Sequence, residues 1–213
     1  MKKALIFYGG WAGHEPKAVA ERTASLLLKN GFSVDLFSGV ECLLDREALL
    51  TYDLIVPTFT MGTLSKECED NIVYAVSEGV GLAGCHGGMC DAFRNSPTWQ
   101  FMTGAQWVAH PGGDGVKYTV NIISGTNPIV EGIEDFPVTS EQYYMHIDPA
   151  VRVLATTEFK LGGERITMPV VFTKKWGKGR VFYSSLGHND AFFDLHPSAT
   201  LIFERGLLFA ARD

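Results

Sequence analysis

The sequence lacks any apolar run approaching the roughly 18 residues that a membrane span needs, and it has no dense basic cluster. Its net charge is −6, from 18 basic and 24 acidic residues. Nucleic acids and anionic membrane surfaces both select basic patches, so neither is expected as a partner. Cysteine is scarce. The four residues Cys42, Cys68, Cys85 and Cys90 lack the paired C-x-x-C spacing of a structural zinc site and are too few for a disulfide framework. Reduced, mostly buried thiols are expected. No phosphate-binding G-x-x-x-x-G-K-[ST] occurs, and Gly9-Gly10-Trp11-Ala12-Gly13 departs from the dinucleotide fingerprint G-x-G-x-x-G. No nucleotide cofactor is therefore expected. The apolar stretch after Met1-Lys2-Lys3 is too short for a signal segment, which points to a cytoplasmic protein.

What remains is an ordinary globular balance, with 46% hydrophobic and 20% charged residues. The length of 213 residues suits a single domain over 1–213. The first half alternates strand and helix. Ala4–Tyr8 is apolar throughout, as a strand buried on both faces requires. A helix is predicted to start near Glu15-Pro16, to bury Val19, Thr23, Leu26 and Leu27, and to stop at Asn30-Gly31. Ser33–Phe37 reads as a strand, Arg46–Leu50 as a short helix and Tyr52–Phe59 as a strand. Ser65 caps a helix with Glu67, Glu69 and Asp70 at its positive end. The stripe Cys68, Ile72, Ala75 and Val76 lies on its buried side. Val80–Cys85 is a small-residue strand before Gly87-Gly88.

Such alternation implies parallel strands joined by right-handed crossovers, with ligands bound beyond the carboxyl ends of the strands. The loops there are Gly9–His14, Phe59–Thr63 and Cys85–Cys90. The second half is β-rich. Strands are predicted at Lys117–Ile123, Val138–Tyr144, Arg152–Phe159, Met168–Lys174 and Arg180–Ser184, with a hairpin turn at Trp176–Gly179. Ser198 is expected to cap a last helix that buries Leu201, Ile202, Leu208 and Phe209. These strands are expected to extend the same sheet.

The most informative stretch is Gly84-Cys85-His86-Gly87-Gly88. A tight turn between strand and helix projects its central side chain above the sheet. Here that residue is His86, and Cys85 one position earlier points to the opposite face. His188, in Leu186-Gly187-His188, also ends a strand beside glycine. If the two strands are neighbours, both imidazoles enter one cleft. Histidine suits proton transfer near neutral pH and metal ligation alike. Glu141, in Ser140-Glu141-Gln142-Tyr143, is placed to act as base, orienter or ligand. His14, His110 and His146 sit beside turns, where a surface role is the plainer reading. Trp11, Trp99, Trp107, Tyr143 and Tyr144 offer stacking faces for a sugar, or simply core aromatics.

Several segments together resemble the ThuA-like (trehalose utilisation) family. They are Ala4–Gly10 with His14, Gly84–Gly87, Val108-Ala109-His110-Pro111, Asn127-Pro128-Ile129 with Gly132-Ile133, Ser140–Tyr143, Pro169–Phe172 and Gly177–His188. The matches keep their order over nearly the whole chain. The resemblance implies an α/β, flavodoxin-like (class I glutamine amidotransferase-like) fold: a mostly parallel sheet with helices on both faces and a β-rich C-terminal half. It implies an enzyme of sugar metabolism acting on trehalose-related or oxidised (keto) sugars, without glutaminase activity, since His86 stands where amidotransferases have cysteine. His86, Glu141 and His188 are then the expected catalytic residues, and His14, His110 and Tyr143 the expected substrate contacts. This chain has Ser140 where an aspartate is common. A divalent metal on the His/Glu set stays open, as does a homo-oligomer. Two alternatives stand beside this reading. One is a non-catalytic carbohydrate-binding or complex-forming protein with a degenerate amidotransferase site. The other is an amidotransferase using Cys85.

Overall fold

The computed structural model describes residues 1–125 and 127–213. The chain opens with β1 (Lys3–Gly10), α1 (Pro16–Lys29), β2 (Ser33–Ser38), α2 (Arg46–Leu50), β3 (Leu54–Thr60), α3 (Lys66–Ser77) and β4 (Gly81–Cys85). It continues through α4 (Gly87–Cys90), α5 (Pro97–Thr103), β5 (Ala105–Ala109), β6 (Val116–Ile122), β7 (Phe136–Ser140) and β8 (Tyr144–Ile147). The last elements are β9 (Arg152–Leu161), β10 (Glu164–Trp176), β11 (Gly179–Ser184), α6 (Asp190–Leu195) and α7 (Pro197–Ala210).

Nine strands form one sheet in the order β2-β1-β3-β4-β11-β10-β9-β6-β7. The five strands from β2 to β11 are parallel, and the rest pair antiparallel. The β-rich half thus extends the parallel sheet, as expected. It is joined through the β10–β11 hairpin, where Trp176 pairs with Gly179. β5 and β8 form a separate two-stranded ribbon.

Strand alternation splits the core into two layers. Ala4, Ile6, Val56, Ala83 and Phe182 pack with the buried sides of α1 and α7. Leu5, Phe7, Ile55, Leu82 and Tyr183 pack with α3 and α5. Helices therefore cover both faces. The local signals acted as chemistry requires. Pro16 opens α1, and Ser65 Oγ accepts the Cys68 N–H at 3.1 Å. No helix among the described residues is long and apolar enough to cross a membrane.

Three expectations need correction. Val138–Tyr144 is not one strand: β7 ends at Ser140 and β8 begins at Tyr144. Glu141, Gln142 and Tyr143, all buried, lie in the break between the two strands. The last helix has His196, not Ser198, at its N-cap, with no side-chain cap. Its buried stripe is Ala199, Ile202, Phe203, Gly206, Leu207 and Ala210, while Leu201 is exposed. Finally, α5, α6 and the β5–β8 ribbon had no counterpart in the sequence reading.

Candidate active site

The site lies beyond the carboxyl ends of the parallel strands. β4 and β11 are neighbours, so the residues that follow them meet. His86 follows β4 directly and adopts φ 49°, ψ −143°, a left-handed conformation that costs a non-glycine residue about 1–3 kcal/mol. Its own backbone helps to hold it: His86 N–H donates to Ser184 O at 2.7 Å, and the Tyr183 hydroxyl donates to His86 O at 3.0 Å. The strain aims the imidazole at the top of the sheet, while Cys85 packs on the α1/α7 side. Gly87 has a distinct reason. A Cβ there would lie 2.6 Å from His14 Cε1, so only glycine leaves room for the His14 ring.

The His86 ring is 2% exposed and fixed on several sides. Nδ1 donates to the carbonyl of Ser185 at 2.8 Å, which settles the proton on that nitrogen. Nε2 lies 3.1 Å from Glu141 Oε2 and 3.3 Å from His188 Nδ1. His188 Nδ1 is itself 3.5 Å from the same carboxylate oxygen. His14 enters from the loop after β1. Its Nδ1 pairs with Thr60 Oγ1 at 3.0 Å, and its ring centroid lies 4.7 Å from that of His86. Glu141 arrives from the break between β7 and β8, with its carbonyl accepting the Tyr118 hydroxyl at 3.1 Å. A small cavity lined by His14, Thr58, Thr60, Cys85, His86 and Gly187 lies beside the rings.

Charge is divided among these groups by their surroundings. Burial, then the other histidines, press His14 down to about 3, so it is neutral. Burial also lowers His86, outweighing its contacts with Glu141 and Ser185. Burial alone would raise the Glu141 carboxyl, but its contacts with His188 and His86 outweigh it and hold the acid far below its usual range. His188 moves upward because it bonds to Glu141. His188 Nδ1 faces both the Glu141 carboxylate and His86 Nε2. His14, His86, Glu141 and His188 each offer one ligand-type atom, all within 4.8 Å of one another. Such a set can hold either a proton or a cation.

The other expected contacts fall differently. His110, after β5, is partly exposed, with Nε2 3.7 Å from Glu141 Oε1. Tyr143 is no open substrate face: it is 3% exposed and stacks on His86 with centroids 4.3 Å apart. Its ring supports the imidazole. His146 is exposed on β8 and pairs with Gln106 across the ribbon, outside the cluster. Cys85 is 3% exposed, and burial pushes its thiol up to about 12, the opposite of the lowered pKa of reactive cysteines.

Some neighbours of the site were missed. Asp91 is buried and grips Arg94 through two hydrogen bonds of 2.6 and 2.9 Å. Arg94 in turn lies over the Trp107 ring at 4.8 Å, and Trp107 stands edge-on to Tyr143. The only sequence signal was an acid and a base three residues apart just past the His86 turn. Thr60 fell within the expected Phe59–Thr63 loop but was not singled out; it is the last residue of β3.

Comparison with known proteins places the chain in a family. A search of curated proteins found no match. Among solved structures, a ThuA-like protein from Parabacteroides merdae superposes with a TM-score of 0.78 at 19% identity, covering 98% of this chain and 89% of that one. A ThuA-like protein from Bacteroides uniformis gives 0.76 at 18% identity, covering 96% and 89%. A β-galactosidase from Bacillus circulans shares the fold at a TM-score of 0.60 and 15% identity, over 97% of this chain but 31% of the enzyme. Residues 3–210 match the family described as ThuA, trehalose utilisation. The chain belongs to the ThuA family.

Proposed function

We propose that this protein is an enzyme of sugar metabolism that moves a proton beside the carbonyl of an oxidised (keto) or trehalose-related sugar. The observation that carries this reading is the His188–Glu141–His86 contact set, closed by distances of 3.1, 3.3 and 3.5 Å. Three separate segments deliver side chains to it, two with strained or interrupted backbone. Structural need alone does not call for such convergence, because burying a carboxylate among imidazoles costs desolvation energy that an apolar core would avoid. The family's description as trehalose utilisation supports a sugar as the substrate class.

In this reading, Glu141 and His188 hold the transferable proton. His86 is the fixed imidazole, and His110 faces the substrate from the open side. Hydrolysis, elimination and isomerisation of a keto sugar all use such a proton. The test is turnover on a panel of 3-keto-glycosides and their parent sugars, with His86→Ala and His188→Ala beside the unaltered protein. Loss of a positioned acid or base lowers turnover by about 10²–10⁴-fold, and both variants are expected in that range. Equal turnover in all three proteins removes the reading. Sugar binding without turnover in any of them transfers support to a carbohydrate-binding role.

A further inference from the structure

We infer that the space between His14, His86, Glu141 and His188 is the seat of one divalent cation, held by these four side chains. This deepens the proposed function and rests on it only for what the ion does, not for whether it binds.

The first argument is size. His86 Nε2, Glu141 Oε2 and His188 Nδ1 form a triangle with sides of 3.1, 3.3 and 3.5 Å. An ion bound tetrahedrally through bonds of about 2.0–2.1 Å sets its donors about 3.3–3.4 Å apart. Three sides of such a shell already exist, and the His14 donor lies within 4.8 Å of the others. A small closure of that ring completes it.

The second argument is orientation. His86 Nδ1 donates to the Ser185 carbonyl, so its other ring nitrogen, Nε2, is the one turned to the cluster, 3.1 Å from Glu141 Oε2 and 3.3 Å from His188 Nδ1. A cation at the centre serves all these donors together.

The third argument is the outer layer. Metal-bound histidines hold their far ring nitrogen with a carbonyl, carboxylate or similar partner, which fixes tautomer and orientation. His86 has Ser185 O, His14 has Thr60 Oγ1, and Glu141 has His110 beside its free oxygen at 3.7 Å. His110 is thus a positioning residue outside the shell. Tyr143 stacks on His86 and keeps the ring in plane.

Donor type selects the ion. Three imidazoles and one carboxylate suit zinc, cobalt(II) or iron(II), whereas magnesium and calcium demand mainly oxygen. A bound ion of this class would polarise the carbonyl of a keto sugar.

The test uses untagged protein stripped with chelator and titrated with cobalt(II), then zinc(II), by calorimetry and visible absorption. One ion per chain is expected, with the intense visible bands of a low-coordinate cobalt centre and a higher thermal midpoint. His188→Ala and Glu141→Gln are each expected to weaken binding about 100-fold or more, beyond what loss of an outer partner costs. His146→Ala, at an exposed histidine of β8, is expected to change nothing. Circular dichroism shows which variants fold. Should Glu141→Gln fail to fold, His188→Ala decides, because its side chain is 14% exposed. Binding that is equally tight in the folded site variants, or a pale six-coordinate cobalt spectrum, overturns the cation. If the stripped protein turns over keto sugars and binds no ion, the cation falls and the proposed function stands. If one ion binds and the loaded protein turns over nothing, the function falls and the site stands.

Discussion

The parallel strands β2-β1-β3-β4-β11 and the antiparallel strands β10-β9-β6-β7 share one sheet but differ in what they give the site. The parallel part gives rigid ends. His14, His86 and His188 follow β1, β4 and β11, each strand hydrogen-bonded on both sides by its neighbours. The antiparallel part gives an interruption. Glu141 reaches the imidazoles because the chain abandons β7 after Ser140, on the edge of the sheet. An interior fold of parallel strands can line up imidazoles, but the opposing charge comes from the part added to it.

The largest expected effect tests that division. Glu141→Gln keeps size and hydrogen bonding but removes the charge. Its turnover on the same panel is expected to fall about 10³-fold, comparable with His86→Ala although the residue comes from the other half. A Glu141→Gln enzyme within about threefold of the unaltered one would break the comparison and confine the chemistry to the parallel half.

A second expectation concerns stability. Phe182 is fully buried in β11 and packs against Gly206 and Phe203 of α7. Phe182→Ala is expected to cost about 3–5 kcal/mol in denaturant unfolding, since the surrounding layers cannot close the cavity. Native-state hydrogen exchange sharpens the contrast. Amides of β4 and β11 should exchange only through global unfolding, and those of β7, an edge strand, through cheaper local opening. Equal protection in both would show that the two parts unfold as one unit.

The parallel half was legible in sequence because its signals are local. The apolar run Ala4–Tyr8, the capping Ser65 and the glycines around His86 each act within a few residues. The β4–β11 adjacency that joins His86 to His188 stood in the sequence only as a condition, because pairing between strands far apart in the chain leaves no local signal. Glu141 was legible as a residue but not as a place. Its strand was drawn through Tyr144, because alternation along Phe136–Ser140 gives no hint that three consecutive side chains turn inward. What turns them is distant: His86 holds Glu141 and Tyr143, and Thr157 holds Gln142 through a 2.7 Å hydrogen bond. The Asp91–Arg94–Trp107 chain was missed for the same reason, as its last member lies on the β5–β8 ribbon.

The smallest effect concerns how that ribbon is tied to the sheet. Asp148, just past β8, pairs with Lys174 of β10. The Lys174 hydrogen bond holds the Asp148 carboxyl below its ordinary 3.8. A depressed acid contributes stability above its unfolded pKa and loses it as pH falls through the folded value. Unfolding free energy should therefore drop below about pH 4, with this pair supplying on the order of 1 kcal/mol. Asp148→Asn should lower stability at pH 7 by that amount and flatten this part of the acid limb. An unchanged limb would mean that the ribbon is held by packing alone.

The account's central claim is that side chains from both halves close on a single point. X-ray absorption at the cobalt edge of the loaded protein reads that point directly. The expected shell has four or five nitrogen and oxygen neighbours at about 2.0–2.2 Å, with outer scattering from three imidazoles that falls to two in His188→Ala. A shell of six oxygens without imidazole scattering, or one that His188→Ala leaves intact, would contradict it.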